Sequence, residues 1–249
     1  MSIKVEFDQR DRNTRQVHSA SSQGGAMTSY DVWKFLHIMM FVFWIGTDLG
    51  VFLSAKKSTD PTLSFGTRVS LLHTALRIEL LPRTMWKAAL PLGVMLIDRM
   101  ELIDISSTWL ILIWLFSIAW WGISMYGAWH YDKPIGHRFA RATNILTGIV
   151  GVGLIAIAAM SLTGNGPIPA DASWLSWKVG LYGLINLMVI VMILIFDPLG
   201  AAFGRLAVEG STPEIEGIIS DVMDRSAWII WATYATIALV AFVATTKVI

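Results

Sequence analysis

Residues 32–55, VWKFLHIMMFVFWIGTDLGVFLSA, form the run that most narrows what this chain can fold into. A helix needs about 20 mostly apolar residues to cross the hydrocarbon core of a bilayer, and this run exceeds that. In lipid every backbone N–H and C=O must be satisfied within the segment, so the run predicts a transmembrane helix. Three polar side chains interrupt it: Lys34, His37 and Asp48. Ionisable groups are costly at membrane depth, which makes each a candidate for function. His37 and Asp48 stand eleven residues apart, and eleven steps of about 100° return to nearly the same face. Trp44 lies between them on that stripe, which extends over about 16 Å.

The remainder of the chain repeats the pattern. The 249 residues are 55% hydrophobic and 15% charged, against about 25% charged in soluble domains. The expectation is an all-α, polytopic integral membrane helical bundle of about six transmembrane helices. Residues 32–249 would form one membrane domain behind a flexible polar tail at 1–31. That tail has no apolar run of the kind a cleaved signal peptide carries. A formal charge of +1 argues against a nucleic-acid partner. With no cysteine, disulfides, cysteine-ligated iron–sulfur clusters and covalently attached c-type haem are excluded. A metal or haem would have to be held by His, Met, Tyr, Lys or carboxylate.

After a polar turn at 56–62, residues 63–97 are predicted to form one long helix bent near Pro82, with Pro91 as a second kink. Its membrane half carries Arg83 and Lys87 inward. The third span, 107–131, holds Trp109, Trp114, Trp120, Trp121 and Trp129. Its outermost tryptophans suit the interfacial aromatic belts. A basic connection at 132–141 leads to a fourth span, 144–162. There Gly148, Gly151 and Gly153 permit close helix approach. The fifth span, 174–196, contains Lys178, Tyr182 and Asn186 and is closed by Asp197-Pro198. Thr212 as N-cap with Pro213 at the first helical position starts a helix that runs on into the sixth span, 227–246.

Lys and Arg are more frequent in the connections after spans one, three and five than on the opposite side, although the tail adds Lys4, Arg10, Arg12 and Arg15 to the latter. By the positive-inside rule both termini lie outside, in a membrane of the bacterial inner (cytoplasmic) type. The polar residues then fall into two layers. The outer one groups His37 with Lys178, with Met95 and Met160 at the same depth. The inner one groups Asp48 with Arg77, Glu79, Arg83, His73, His130, His137 and Asp197. Pairing of Asp48 with Arg77 or Arg83 and of Glu79 with Arg83 would neutralise much of that layer. Gly46 and Gly50 form a GxxxG pair suited to close approach of another helix.

Three chemistries are open for these side chains. His37 is either a histidine hydrogen-bonded to a neighbouring helix or an axial ligand to a b-type haem, with methionine, lysine or tyrosine opposite. His73 and His130 would form a second ligand pair on the inner side if the helices bend toward each other. His130 and His137 are separated by Pro134, which breaks the helix between them. His37 and Met40 supply an imidazole and a thioether on one face, ligands that suit copper in its Cu(I) state.

Leu36-His37, six residues, then Trp44-Ile45-Gly46 resembles the first helix of the group containing the HemJ-type protoporphyrinogen oxidases and the CopD-type copper-resistance membrane proteins. Trp174 with Lys178, in WLSWKVGLYG, is similar to the Trp-x-x-x-Lys opening of a helix in that group. Arg83, Pro91 and Gly93 loosely resemble the second helix of the HemJ type. The likeness implies a helical bundle that binds haem b, with His37 as ligand and Lys178 and Arg83 as cofactor or substrate contacts. Tyr182, one turn beyond Lys178, joins that set. It further implies an oxidoreductase of protoporphyrinogen-oxidase type, with a quinone or another membrane redox partner. The chain is longer than the compact HemJ proteins and lacks the rest of their arginine-proline motif.

Two further functions stay open. One is a copper-handling protein or a small-solute or proton transporter using His37, Met40 and Asp48 along a path. The other is a non-catalytic subunit of a larger membrane complex or a homo-oligomer, with the tryptophan-rich third span as docking face.

Overall fold

The computed structural model describes residues 27–247, so the tail at 1–26 lies outside the described residues. These hold seven α-helices, one 3-10 turn and no strand. The helices are α1 (Ser29–Ser58), α2 (Phe65–Ile78), α3 (Leu80–Arg99), α4 (Ser107–Trp129), α5 (Pro134–Leu162), α6 (Ser173–Glu209) and α7 (Pro213–Thr246). Five of them, α1, α4, α5, α6 and α7, are long and apolar enough to cross a membrane. Their outward faces carry large apolar side chains, including Ile38 and Val42 on α1, Leu115 and Ile118 on α4, Ile149 on α5 and Leu194 on α6. Apolar area of that extent is met by lipid rather than by water. The protein is a multi-pass helical membrane bundle.

The sixth crossing is α3. Its 20 residues are about 30 Å long, but Arg83, Lys87 and two prolines keep it below the apolarity of the others. It is sheltered by its neighbours: Trp86 and Leu92 join a central core with Met40 and Trp44 of α1, Trp120 of α4, Ile185 of α6 and Ile237 of α7. Contacts at both ends show that it runs antiparallel to α1. Gly93 lies against the His37 imidazole, and Arg83 shares a cavity with Asp48. The bundle end where α1 begins is termed proximal here, and the end where α6 and α7 are joined is termed distal.

Local sequence explains most boundaries. Thr28 and Asp31 form a reciprocal capping box at the start of α1, so residues 29–31, expected in the tail, are already helical. Thr212 caps α7 and Pro213 takes its first position, as the sequence predicts. The basic connection after α4 does not remain a loop: from Pro134 it forms the first turns of α5.

The two prolines differ in outcome. The long second helix is interrupted at Glu79 alone, one turn before Pro82, in line with the expected bend near that proline. Proline clashes with the carbonyl four residues earlier, here Ile78, so the rupture falls one turn before it. Pro198 does not end the fifth span; α6 continues through it to Glu209. A proline inside a helix costs about 3 kcal/mol, and burial beyond it offsets this. Leu199, Phe203 and Leu206 pack on Ile215, Ile219 and Val222 of α7.

This distal hairpin is locked to the rest of the chain by one buried cation. Arg68 of α2 is only 2% exposed, pairs with Glu216 of α7 at 2.7 Å and donates from Nε to the Ser58 carbonyl at the end of α1. At mid-bundle, α5 and α6 cross where two glycines meet. A Cβ on Gly183 would lie 2.7 Å from the Gly151 carbonyl oxygen and 3.0 Å from the Ile155 backbone nitrogen. The predicted small-residue seam thus acts through Gly151. The GxxxG pair on α1 does not act at all, since Gly46 and Gly50 have nothing within 4 Å of a built Cβ.

Two outcomes follow for the purified protein in detergent. Gly183→Val is expected to destabilise by about 1–3 kcal/mol through overpacking against backbone, whereas Gly153→Val, with nothing within 4 Å, leaves the thermal midpoint within a degree or two of the parent's. Arg68 holds the Glu216 carboxyl below its ordinary range, with a further contribution from Ser211. A depressed carboxylate contributes stability that is complete above its unfolded-state value and is lost as pH falls through the folded one. Thermal melts between pH 7 and pH 3 should therefore show Glu216→Gln destabilised by about 1–3 kcal/mol at neutral pH, with that gap closing below the ordinary carboxylate value of about 4.3.

Candidate functional site

The inward face of α1 organises the polar groups as the eleven-residue spacing predicts. His37 is partly buried at the proximal end, Trp44 is buried at the centre and Asp48 is partly buried toward the distal end. Met40, on the same face, is buried in the central core among tryptophans. Three regions result, and they differ in how their polar atoms are satisfied.

At the proximal end, His37 lies against the α3 backbone at Gly93: a Cβ there would be 3.8 Å from the imidazole Cε1. Lys178, in the second turn of α6, lies at the same end of the bundle. The expected grouping of His37 with Lys178 is one of depth. The His37 Nδ1 atom is buried and has no hydrogen-bond partner among the described residues. An orphaned buried donor or acceptor costs about 1–3 kcal/mol. The alternative of a histidine hydrogen-bonded through Nδ1 to the next helix is thus not what the structure holds. As a fit to haem, the donor set offers an imidazole on a bundle-facing helix and a lysine at the same end of the bundle, with the ring packed against α3 at Gly93. Neither of the two cavities described below is lined by His37.

The central region is dominated by tryptophan and one lysine. Lys87 is 1% exposed, and its Nζ stands 4.0 Å from the centre of the Trp86 ring and 5.2 Å from that of Trp120. Nζ thus sits over two indole rings, and it has no hydrogen-bond partner among the described residues. The indole N–H groups of Trp86 and Trp120 are likewise buried and unpartnered. Tyr182 donates its hydroxyl to the Trp86 carbonyl at 2.9 Å, tying α6 to α3. Asn186, fully buried, donates to the Tyr182 carbonyl but leaves Oδ1 without a partner.

The distal region is a cavity of about 560 Å³, counting its mouth, between α1, α3, α6 and α7. Here charges are compensated. Arg83 is held by Glu79 at 2.8 Å, as the i,i+4 spacing predicts, and donates to Ser124 of α4 at 3.2 Å. The expected pairing of Asp48 with Arg77 or Arg83 is overturned. Asp48 accepts a 2.9 Å hydrogen bond from Tyr234 of α7, Arg83 is taken by Glu79, and Arg77 is exposed. Tyr234 was invisible as a partner because it lies 186 positions along the chain from Asp48. The only sequence signal was a tyrosine in the interior of the last span.

The distal histidines do not form the expected pair. His73 approaches the Tyr131 hydroxyl at 3.5 Å, while His130 bonds the Tyr126 carbonyl at 3.0 Å and stacks on the Tyr126 ring at 4.3 Å. His137 is exposed, and the helix breaks at Pro134 as predicted. No group of three or more His, Asp or Glu side chains is placed to hold a metal ion among the described residues. The chain matches no family model, no curated protein and no solved structure, so its function is argued from its own residues.

Proposed function

We propose that the protein binds a b-type haem or a related porphyrin inside its bundle and takes part in membrane redox chemistry, with His37 as the axial ligand. The observation that carries this reading is the buried His37 Nδ1 without a hydrogen-bond partner, on an inward face, beside Gly93 and at the same end of the bundle as Lys178. A bond at a ring nitrogen would offset the cost of that orphaned atom. A bound haem supplies a reversible one-electron couple. The chain's own contributions are to present the imidazole, to exclude water through the surrounding apolar helices and to offer the Lys178 ammonium to a carboxylate of the ligand. Tyr182 braces α6 against α3 through the Trp86 carbonyl, while Arg83 stands at the distal cavity, bound to Glu79 and Ser124, about 15 Å along α3 from Gly93. Electrons would pass to a quinone or another membrane partner, reached within the bilayer or across a contact with a second copy or subunit.

The same reading places the protein in a bacterial cytoplasmic membrane with both termini outside. It rests on the cluster of Lys56, Lys57, Arg68, Arg205 and Arg225 at the distal end.

A second reading has its own observation in the distal cavity. Asp48 and Tyr234 line one cavity with the Glu79–Arg83 pair, an arrangement suited to passing protons or a small solute. In it, His37, Met40 and Asp48 mark successive positions along α1, with copper as one cargo.

Protein purified in mild detergent is expected to show a Soret absorption band that His37→Ala weakens or abolishes, while Asp48→Asn retains it. Colourless, metal-free protein would overturn both the haem and the bound-copper readings. A band that survives His37→Ala but is lost in His73→Ala or His130→Ala would move the site to the distal end.

A further inference from the structure

Lys87 has a side of its environment that the reading above does not use. Away from Trp86 and Trp120 it lines a groove of about 410 Å³ between α3 and α4, together with Thr84, Trp114, Ser117, Ile118 and Trp121. Ile118 is 55% exposed and Trp121 41% exposed, so the groove opens on the outward, lipid-facing surface of α4. Two residues of its lining carry buried polar atoms without partners among the described residues, Lys87 Nζ and Ser117 Oγ, set behind an almost wholly apolar wall. The remaining polar wall is already saturated. Thr84 Oγ1 donates to the Leu80 carbonyl and accepts from the Trp121 indole N–H at 3.0 Å, which fixes that ring at the groove's distal side.

Charge complementarity narrows the occupant. An amine at this depth is costly unless something accepts its hydrogen bonds. The nearest carboxylate along the chain, Glu79, stands just before α3, two turns away, and is engaged by Arg83. The missing partner is therefore an acceptor that arrives from outside the chain, and two donors on the lining of one groove suit the two oxygens of a carboxylate. Lys87 stands near the middle of α3, about 11 Å from its start. A phospholipid phosphate is held at the headgroup level, about 15 Å from the midplane, and does not reach this position without dragging its charge through hydrocarbon. A long-chain carboxylic acid does reach it, because it crosses hydrocarbon in its neutral protonated form. The remaining walls, Trp114, Ile118 and Trp121, suit an alkyl chain.

We propose that the α3–α4 groove is a lateral binding site for a membrane-dissolved long-chain carboxylic acid, whose head group is held by Lys87 and Ser117. On arrival the acid proton passes to the amine, giving a carboxylate and an ammonium with no other reactant needed. The site is separate from His37, which faces α3 from the α1 side at Gly93, and it stands or falls independently of haem binding.

The test uses the full-length protein in lipid nanodiscs with a palmitic acid analogue carrying a photoactivatable diazirine near the middle of its chain. Crosslinking is expected within residues 114–121 of α4, with saturable dependence on the probe. Lys87→Met keeps the volume and removes the donor; it should weaken labelling about tenfold or more, the loss expected for one charge-assisted hydrogen bond. Ile118→Trp fills the groove from the lipid side without touching Lys87 and should abolish labelling, which keeps the proposal testable if Lys87→Met does not fold. Unlabelled palmitic acid should compete, and its methyl ester should not. Undiminished labelling in either folded variant, equal competition by the methyl ester, or displacement by a short-chain quinone but not by palmitic acid would each overturn the proposal.

Discussion

The bundle depends on sheltering one helix that lipid would reject. α3 carries Arg83, Lys87, Pro82 and Pro91, and a helix with that content is too polar to face hydrocarbon. It crosses because α1 and α4 cover two of its sides and because Trp86 and Leu92 insert among side chains from four other helices. The other spans can be read as a wall built around it. Their outward faces are continuous apolar surface, and their inward faces supply the groups α3 needs: Ser124 for Arg83, Tyr182 for the Trp86 carbonyl and the Trp120 ring for Lys87. Closeness in the wall is then set by small residues, most tightly where Gly151 meets Gly183.

Along this sheltered helix, satisfaction of polar groups changes with depth, and the change separates structural from functional chemistry. At the distal end every charge that enters the bundle has an answer: Glu79 for Arg83, Tyr234 for Asp48, and Glu216 with the Ser58 carbonyl for Arg68. In the centre and at the proximal end the answers stop. His37 Nδ1, Lys87 Nζ, Ser117 Oγ and the indoles of Trp86 and Trp120 are buried without hydrogen-bond partners among the described residues. Folded proteins leave few such atoms. Thr143, Thr147 and Asn186 hold further atoms of this kind, so unanswered polar groups are concentrated away from the charged distal cavity.

Much of this was legible from residue order, and the failures have a common cause. Spans, caps and i,i+4 partners depend on neighbours within a turn or two, so Thr28 with Asp31, Thr212 with Pro213 and Glu79 with Arg83 behave as their spacing implies. The two-layer division of α1 also follows from helical geometry alone. Errors arise where a distant segment overrides a local rule. Pro198 would end an isolated helix, but the distal hairpin packs on both sides of it and carries α6 through. Asp48 would pair with Arg77 or Arg83, but Arg77 is exposed, Arg83 is captured by Glu79 one turn away, and a tyrosine from the last helix takes their place. Gly46 and Gly50 have the spacing of a helix-packing motif and lack only a helix to pack against.

The capture of Arg83 has a wider consequence for how charge is placed in this protein. Had Arg83 paired with Asp48, an ion pair would bridge α1 and α3 and close the space between them. Because Glu79 neutralises Arg83 within its own segment, Asp48 is left to a neutral partner, and a hydrogen bond from Tyr234 can hold a carboxyl group in either protonation state with only a change of donor. The interruption at Glu79 leaves that local pair intact, because the Arg83 backbone N–H still donates to the Glu79 carbonyl across it. Lys87 stands two turns from Glu79, about 12 Å along a helix axis, so the carboxylate that answers Arg83 does not reach it.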